Sequence, residues 1–208
     1  MPPAILLVIA ALCILIELAL VGADLNLWGA RWWRPWLYQH AAFWRGLLVE
    51  GWRPNYPAQP FAMFVTYAFL HAGWAHLTVN MLTLLSLGKE IITRGGGRRF
   101  GAIYVASMLT GGVGFALFSD AIQPMVGASG ALFGLAGAWI IWDFRNALDQ
   151  RLDRRQVITG LLMPVGLLVV LNVVMYFATG GMLAWETHLG GFVGGALVAL
   201  PLWARPQA

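Results

Sequence analysis

Apolar residues gather into six runs, near residues 3–21, 74–92, 100–118, 126–142, 157–177 and 187–203. Each comes close to the roughly 20 residues that a helix needs to cross the hydrocarbon core of a bilayer. Short polar gaps separate most of them, so the pattern predicts an all-α membrane protein with six transmembrane helices in one domain, 1–208. The first connection, 22–73, is the exception in length. The first run ends in Val21-Gly22-Ala23, which resembles a signal-peptide cleavage site. It has no basic residues ahead of it and is long for a signal core, so it reads as an uncleaved span.

Composition agrees with lipid as the solvent. Hydrophobic residues make up 60% of the chain and charged residues 11%, against about 45–50% and about 25% in soluble domains. Mean hydropathy is +0.72. The net charge is +4, but the basic residues fall in gaps between apolar runs and not on one element, which argues against nucleic acid as a partner. Cys13 is the single cysteine, so neither a disulfide framework nor a thiolate metal site is available within the chain.

The basic residues also orient the chain. Lys89, Arg94, Arg98 and Arg99 lie in the second connection, Arg145, Arg151, Arg154 and Arg155 in the fourth, and Arg205 in the tail: nine of thirteen. The third and fifth connections have none. Basic loops stay cytoplasmic, so both termini are expected there, with the odd-numbered connections outside. The first connection mixes Trp28, Trp32, Trp33, Trp36, Trp44 and Trp52 with arginines. Indoles favour the headgroup zone, so this segment is expected along the outer interface.

Polar side chains at membrane depth need a reason. The second run opens on His71-Ala-Gly-Trp-Ala-His76-Leu-Thr-Val-Asn80, the fourth on Gly127-Ala-Ser129-Gly130-Ala-Leu-Phe133-Gly134, and the sixth on His188-Leu-Gly190-Gly191-Phe-Val-Gly194-Gly195. Orientation by charge puts all three at the outer face. A serine hydroxyl becomes a nucleophile when a base within hydrogen-bond reach takes its proton. Gly130-x3-Gly134 and Gly191-x3-Gly195 would let the two helices touch. His76 and Asn80 are four apart, on one helical face, and both could donate toward an oxyanion, as could the Ser129 amide.

Other chemistries fit less well. His71 and His76 are five apart, about 140° around a helix, with no carboxylate between them, so no metal or other cofactor is expected. A proton-coupled transporter would show midplane acids and broken inverted repeats. Glu17 is the one clear intramembrane carboxylate, placed to reach the interface or to hydrogen-bond in neutral form. Asp120 and Glu186 are loop residues, so no acid is expected to orient His188. The arrangement reads as a dyad, with the imidazole held by packing against Phe133.

The three motifs, in this order and at these positions, resemble the rhomboid family of intramembrane serine proteases. The resemblance runs from about Trp74 to Trp203 plus the preceding connection, and is to the minimal bacterial form without a soluble domain or seventh span. It implies a six-helix rhomboid-like bundle in a bacterial plasma membrane. Ser129 would be the nucleophile, and His188 the general base and then acid. His76, Asn80 and the Ser129 amide would form the oxyanion hole. His71 would be structural, Gly127 part of the serine motif, and Phe133 the aromatic ring under the imidazole. The implied partners are transmembrane protein substrates and the bilayer itself, with lateral entry beside the second and fifth spans. Asn172 on the fifth span is expected to make a helix-packing hydrogen bond. The alternative is a catalytically inactive rhomboid-like binder of membrane proteins, although such relatives usually lose the serine or the histidine. The sequence departs from the family in two places: Ala62-Met63 stands where many members have Trp-Arg, and the acidic residue that often comes after a glycine past the second span is displaced, with Glu90 two residues beyond Gly88.

Overall fold

The computed structural model describes residues 3–203. Arg205, counted above for orientation, lies outside the described residues. In chain order the elements are α1 (Ala4–Asp24), α2 (Trp33–Ala41), α3 (Gly46–Val49), α4 (Gln59–Thr66), a 3-10 turn (Tyr67–Phe69), α5 (Trp74–Phe118), α6 (Ser129–Asp149), α7 (Arg154–Ala178) and α8 (Trp185–Ala199). Among the described residues the one strand-like pairing is Phe43 with Met125, whose amides and carbonyls exchange bonds of 3.0 Å. That pairing ties the first connection to the segment just before α6.

The second and third apolar runs both fall in α5. Gly96 breaks the helix with φ 79° and ψ 164°, a conformation that glycine adopts without steric cost. The limb 97–118 turns back along 74–95, and a β-carbon at Gly88 would lie 3.2 Å from Phe100 Cε2. Both ends of α5 therefore sit at the same end of the bundle as the start of α6. α7 begins at Arg154, three residues before the fifth apolar run: Asp153 Oδ1 accepts from the Arg155 and Gln156 amides at 2.8 and 3.0 Å, while Gln156 Oε1 accepts from the Asp153 amide at 3.3 Å. This is a capping box, which satisfies orphan donors of the first turn.

α1, α5 and α7 are long and apolar enough to cross a membrane. α6 carries Asp143, Arg145 and Asp149 in its second half. α8 has 15 residues before Pro201, about 22 Å at 1.5 Å per residue and short of a full bilayer. Glycine dilutes the apolar character of both, and they spend it on contact inside the bundle. Gly191 and Gly195 on α8 lie so close to the Gly130 and Gly134 carbonyls of α6 that a β-carbon at either would collide. Gly190 and Gly194 press in the same way on Thr110 of α5. α8 is thus wedged between α5 and α6 by two glycine faces. α7 stands apart, with no buried residue along its length.

The first connection is folded, not loose. The expected interfacial segment 22–73 contains α2, α3, α4 and the 3-10 turn, with Trp28, Trp32, Trp36 and Trp52 exposed. Gln59, fully buried, donates to the Gln39 carbonyl at 2.7 Å and accepts from the Asn55 amide at 2.7 Å.

Candidate active site

Ser129 is the first residue of α6. Its amide belongs to the helix's opening turn, where backbone N–H groups lack intrahelical partners. His188 lies in the first turn of α8 and is 7% exposed. The glycine contacts between α6 and α8 bring the two side chains together: Ser129 Oγ is 2.8 Å from His188 Nε2. Phe133, one turn below the serine, stacks on the imidazole with ring centroids 4.1 Å apart and planes 6° apart.

The imidazole has a third neighbour. His188 Nδ1 is 2.6 Å from Asn172 Oδ1 on α7. The sequence reading assigned Asn172 to helix packing and left His188 held by stacking alone. The signal was present as a lone amide in an apolar helix, but nothing in the spacing tells which way that amide faces.

His76 and Asn80 sit on α5 against the approach to the serine. A β-carbon at Gly127 would fall 2.7 Å from His76 Cε1 and 2.8 Å from its Nε2, with Asn80 Nδ2 at 3.8 Å. Gly127 has φ +126° and its amide donates to the Tyr67 carbonyl at 3.0 Å, so this position admits glycine both for backbone and for space. Asn80 Nδ2 donates to the His76 carbonyl at 3.1 Å. His71 is fully buried, its ring edge-on to His76 at 5.2 Å. Burial pushes its imidazole down to about 4, and the adjacent His76 adds to the lowering. Neither ring nitrogen has a well-aligned hydrogen-bond partner among the described residues, although the nearby Phe69 backbone offsets a little of the shift.

The turn that carries His71 is pinned by groups sequence reasoning did not connect. Glu17 is fully buried and does not stand alone. Its carboxylate pairs with Arg34, Oε1 to Nη2 at 2.9 Å and Oε2 to Nη1 at 3.1 Å. It also accepts the Gly73 amide at 3.0 Å. Arg34 donates further to Asp24 at 2.7 Å and to the His71 carbonyl at 3.0 Å, and Tyr38 donates to the same carbonyl at 2.7 Å. Burial works against the Arg34 charge, but its hydrogen bonds to Glu17, Asp24 and Tyr38 outweigh it and hold the guanidinium above its ordinary range. This arginine from α2 anchors the first connection to α1 and to the head of α5. At the opposite end Arg94 bridges Glu90, at 2.7 Å, and Asp143 of α6.

Alongside the dyad runs a groove of about 510 Å³ between α7 and the α6–α8 pair, lined among others by Phe133, Leu168, Asn172, Tyr176 and His188. No group of three or more His, Cys, Asp or Glu side chains stands ready to hold a metal ion among the described residues.

Comparison with known proteins adds two findings. The family model described as Rhomboid domain matches residues 57–205. RHOMBOID-like protein 5 of Arabidopsis thaliana is 32% identical over 184 residues, 83% of this chain and 52% of that protein. Rhomboid protease GluP of Bacillus subtilis is 33% identical over 138 residues, 66% of this chain and 25% of that protein. Rhomboid-type serine protease 2 of Emericella nidulans is 27% identical over 147 residues, 70% of this chain and 27% of that protein. The chain spans about half, or less, of the length of these curated relatives.

Proposed function

This chain belongs to the rhomboid family, and on that premise we propose that it is an intramembrane serine endopeptidase. The observation that carries the reading is the 2.8 Å contact between Ser129 Oγ and His188 Nε2 at the buried end of two glycine-packed helices. Nε2 takes the hydroxyl proton as the oxygen attacks a scissile carbonyl, and the imidazolium then protonates the leaving amine. The Ser129 amide, His76 and Asn80 donate to the oxyanion. Water hydrolyses the acyl-enzyme. No metal or other cofactor takes part.

The two limbs of α5 count as separate spans in this reading, with α1, α6, α7 and α8 completing six. The short α8 is packed between α5 and α6, so protein and not lipid covers much of it. Substrates are transmembrane segments of other proteins, unwound locally, since a hydrogen-bonded helix hides its carbonyls. The groove beside α7 suits such a segment, because its lining is apolar apart from Asn172, Tyr176 and the site itself. Charge asymmetry supports a dyad at the outer face and both termini in the cytoplasm in this reading.

The test is covalent labelling of detergent-solubilised protein with a fluorophosphonate, together with cleavage of a reporter transmembrane helix. Ser129→Ala and His188→Ala are expected to abolish both; labelling that survives loss of Ser129 overturns the nucleophile. His76→Ala and Asn80→Ala should each slow cleavage by roughly 10–10³-fold, the scale of removing one oxyanion donor. Unaltered rates in both would remove them from the mechanism.

A further inference from the structure

The hydrogen bonds of Asn172 determine which of its amide atoms faces the histidine. Asn172 Nδ2 lies 2.9 Å from the Leu168 carbonyl, an acceptor that requires a donor opposite it. The NH₂ group is therefore turned to the helix backbone, and the carbonyl oxygen, Oδ1, faces His188 Nδ1 at 2.6 Å. An oxygen with no hydrogen of its own demands that Nδ1 carry the proton. Neutral imidazole has one N–H, so Nε2 is left with its lone pair, 2.8 Å from the Ser129 hydroxyl. That is the tautomer a base for Ser129 needs. Phe133 fixes the plane of the ring, but a stacked ring can still flip about its axis or change tautomer; Asn172 removes both freedoms.

We propose that Asn172 is a positioning residue that holds His188 in the tautomer and orientation required to deprotonate Ser129, making the site a Ser129–His188–Asn172 relay spread over α6, α8 and α7. The proposal rests on the endopeptidase reading of the dyad and adds the third group to it. It has a mechanical consequence. α7 has no buried residue, carries Pro164 inside the helix eight residues before Asn172, and flanks the open groove. The base is fully set only while α7 holds Asn172 against His188.

The titratable groups around the imidazole are His76 on α5, Tyr176 on α7 and Glu186 in the same turn of α8; α6 brings Ser129 and Phe133. An exchange at position 172 is read against that constant background. The experiment measures fluorophosphonate labelling rate, reporter kcat and KM, and the pH–rate profile for wild type, Ser129→Ala, Asn172→Leu and Asn172→Asp in detergent. Asn172→Leu removes the acceptor with little change of volume and should lower labelling rate and kcat by about 10–10²-fold, less than the loss of a charged triad member, with KM within about twofold. Asn172→Asp keeps an oxygen at Nδ1 and should restore most of the rate. It should also move the acid limb of the profile to higher pH, since a carboxylate beside the ring favours imidazolium. An amide that does not face the imidazole would not move that limb. Wild-type labelling and kcat in Asn172→Leu, with Ser129→Ala inert, overturn the positioning role and leave the dyad standing; labelling of Ser129→Ala overturns the dyad itself. Should Asn172→Leu not fold, Asn172→Asp decides alone: a shifted acid limb upholds the role and an unmoved one overturns it.

Discussion

At the scale of single residues, the ionisable groups outside the dyad are the ones with clear consequences. Arg34 neutralises Glu17, a carboxylate with no exposure, and its own side chain is 17% exposed. Removing one partner of such a pair leaves a buried charge behind. Arg34→Met should therefore destabilise the protein by about 3 kcal/mol, the low end of the range for breaking a buried pair, read from denaturant or thermal unfolding in micelles. Arg34→Lys should recover only part, because an ammonium cannot reproduce the planar fork shared by Glu17, Asp24 and the His71 carbonyl. Arg45→Met, which breaks a pair whose glutamate is 41% exposed, should cost well under half as much. His71 makes a pH prediction of opposite sign to a carboxylate that gains a partner on protonation. Its folded value lies near 4, below the ordinary histidine value of about 6.5, so the unfolded chain binds more protons between those limits. The stability this histidine contributes is complete above about pH 6.5 and is lost as pH falls toward 4. His71→Phe, which fills the same buried space without a titrating ring, should leave the unfolding midpoint near wild type at pH 7.5 and flatten its decline between pH 6.5 and 4. An unchanged slope would remove His71 as a source of that decline.

At the scale of elements, α8 decides whether there is a site at all. Its GGxxGG pattern puts Gly191 and Gly195 against α6 and Gly190 and Gly194 against α5. The Ser129–His188 distance depends on that double approach. Gly191→Ala inserts a methyl group against the Gly130 carbonyl and should cost about 3 kcal/mol, the upper side of overpacking, with fluorophosphonate labelling falling even in the fraction that stays folded. Gly101→Ala meets nothing within 4 Å and should instead stabilise by about 0.5–1 kcal/mol through helix propensity. The same comparison says what was readable in the sequence. The lengths of the apolar runs located the main helices, because apolar content is a local property; Asp153-x-x-Gln156, which caps α7, was an equally local signal that the run lengths did not use. The close approach of α6 and α8 was legible as well, since small residues four apart admit few other uses. Pairings that depend on how helices rotate about their axes were not legible. Glu17 meets Arg34 because α2 folds back over the outer part of α1, and Asn172 meets His188 because the connection 179–184 reverses the chain after α7. In each case the two residues lie on different elements with no shared period. The glycine faces toward α5 were half visible: Gly190 and Gly194 stood in the motif, but their partner Thr110 carried no mark. The folding of 22–73 into three helices and a 3-10 turn was also hidden, its tryptophans and arginines signalling an interface and not a conformation.

At the scale of the molecule, charge and chemistry occupy opposite ends. Gly127, Ser129 and His188 share one end with both termini of α5, while Gly95 packs on Trp142 at the other. Arg94, Arg98, Arg99, Arg145, Arg151, Arg154 and Arg155 follow the second end, and Arg94 ties Glu90 to Asp143 there. In the proposed topology, where the positive end stays cytoplasmic, the hydroxyl and imidazole lie toward the outer surface. The arrangement can be tested without any activity, since Cys13 is buried and gives little background to a thiol reagent. Ile122, in the connection just before α6, is 72% exposed, and Gln150, after α6, is also exposed. In intact cells a membrane-impermeant maleimide should label Ile122→Cys and spare Gln150→Cys, and after lysis it should label both. The reverse result would put the dyad on the cytoplasmic side, so that protons and water would be drawn from that compartment and substrates would be cut near their cytoplasmic ends.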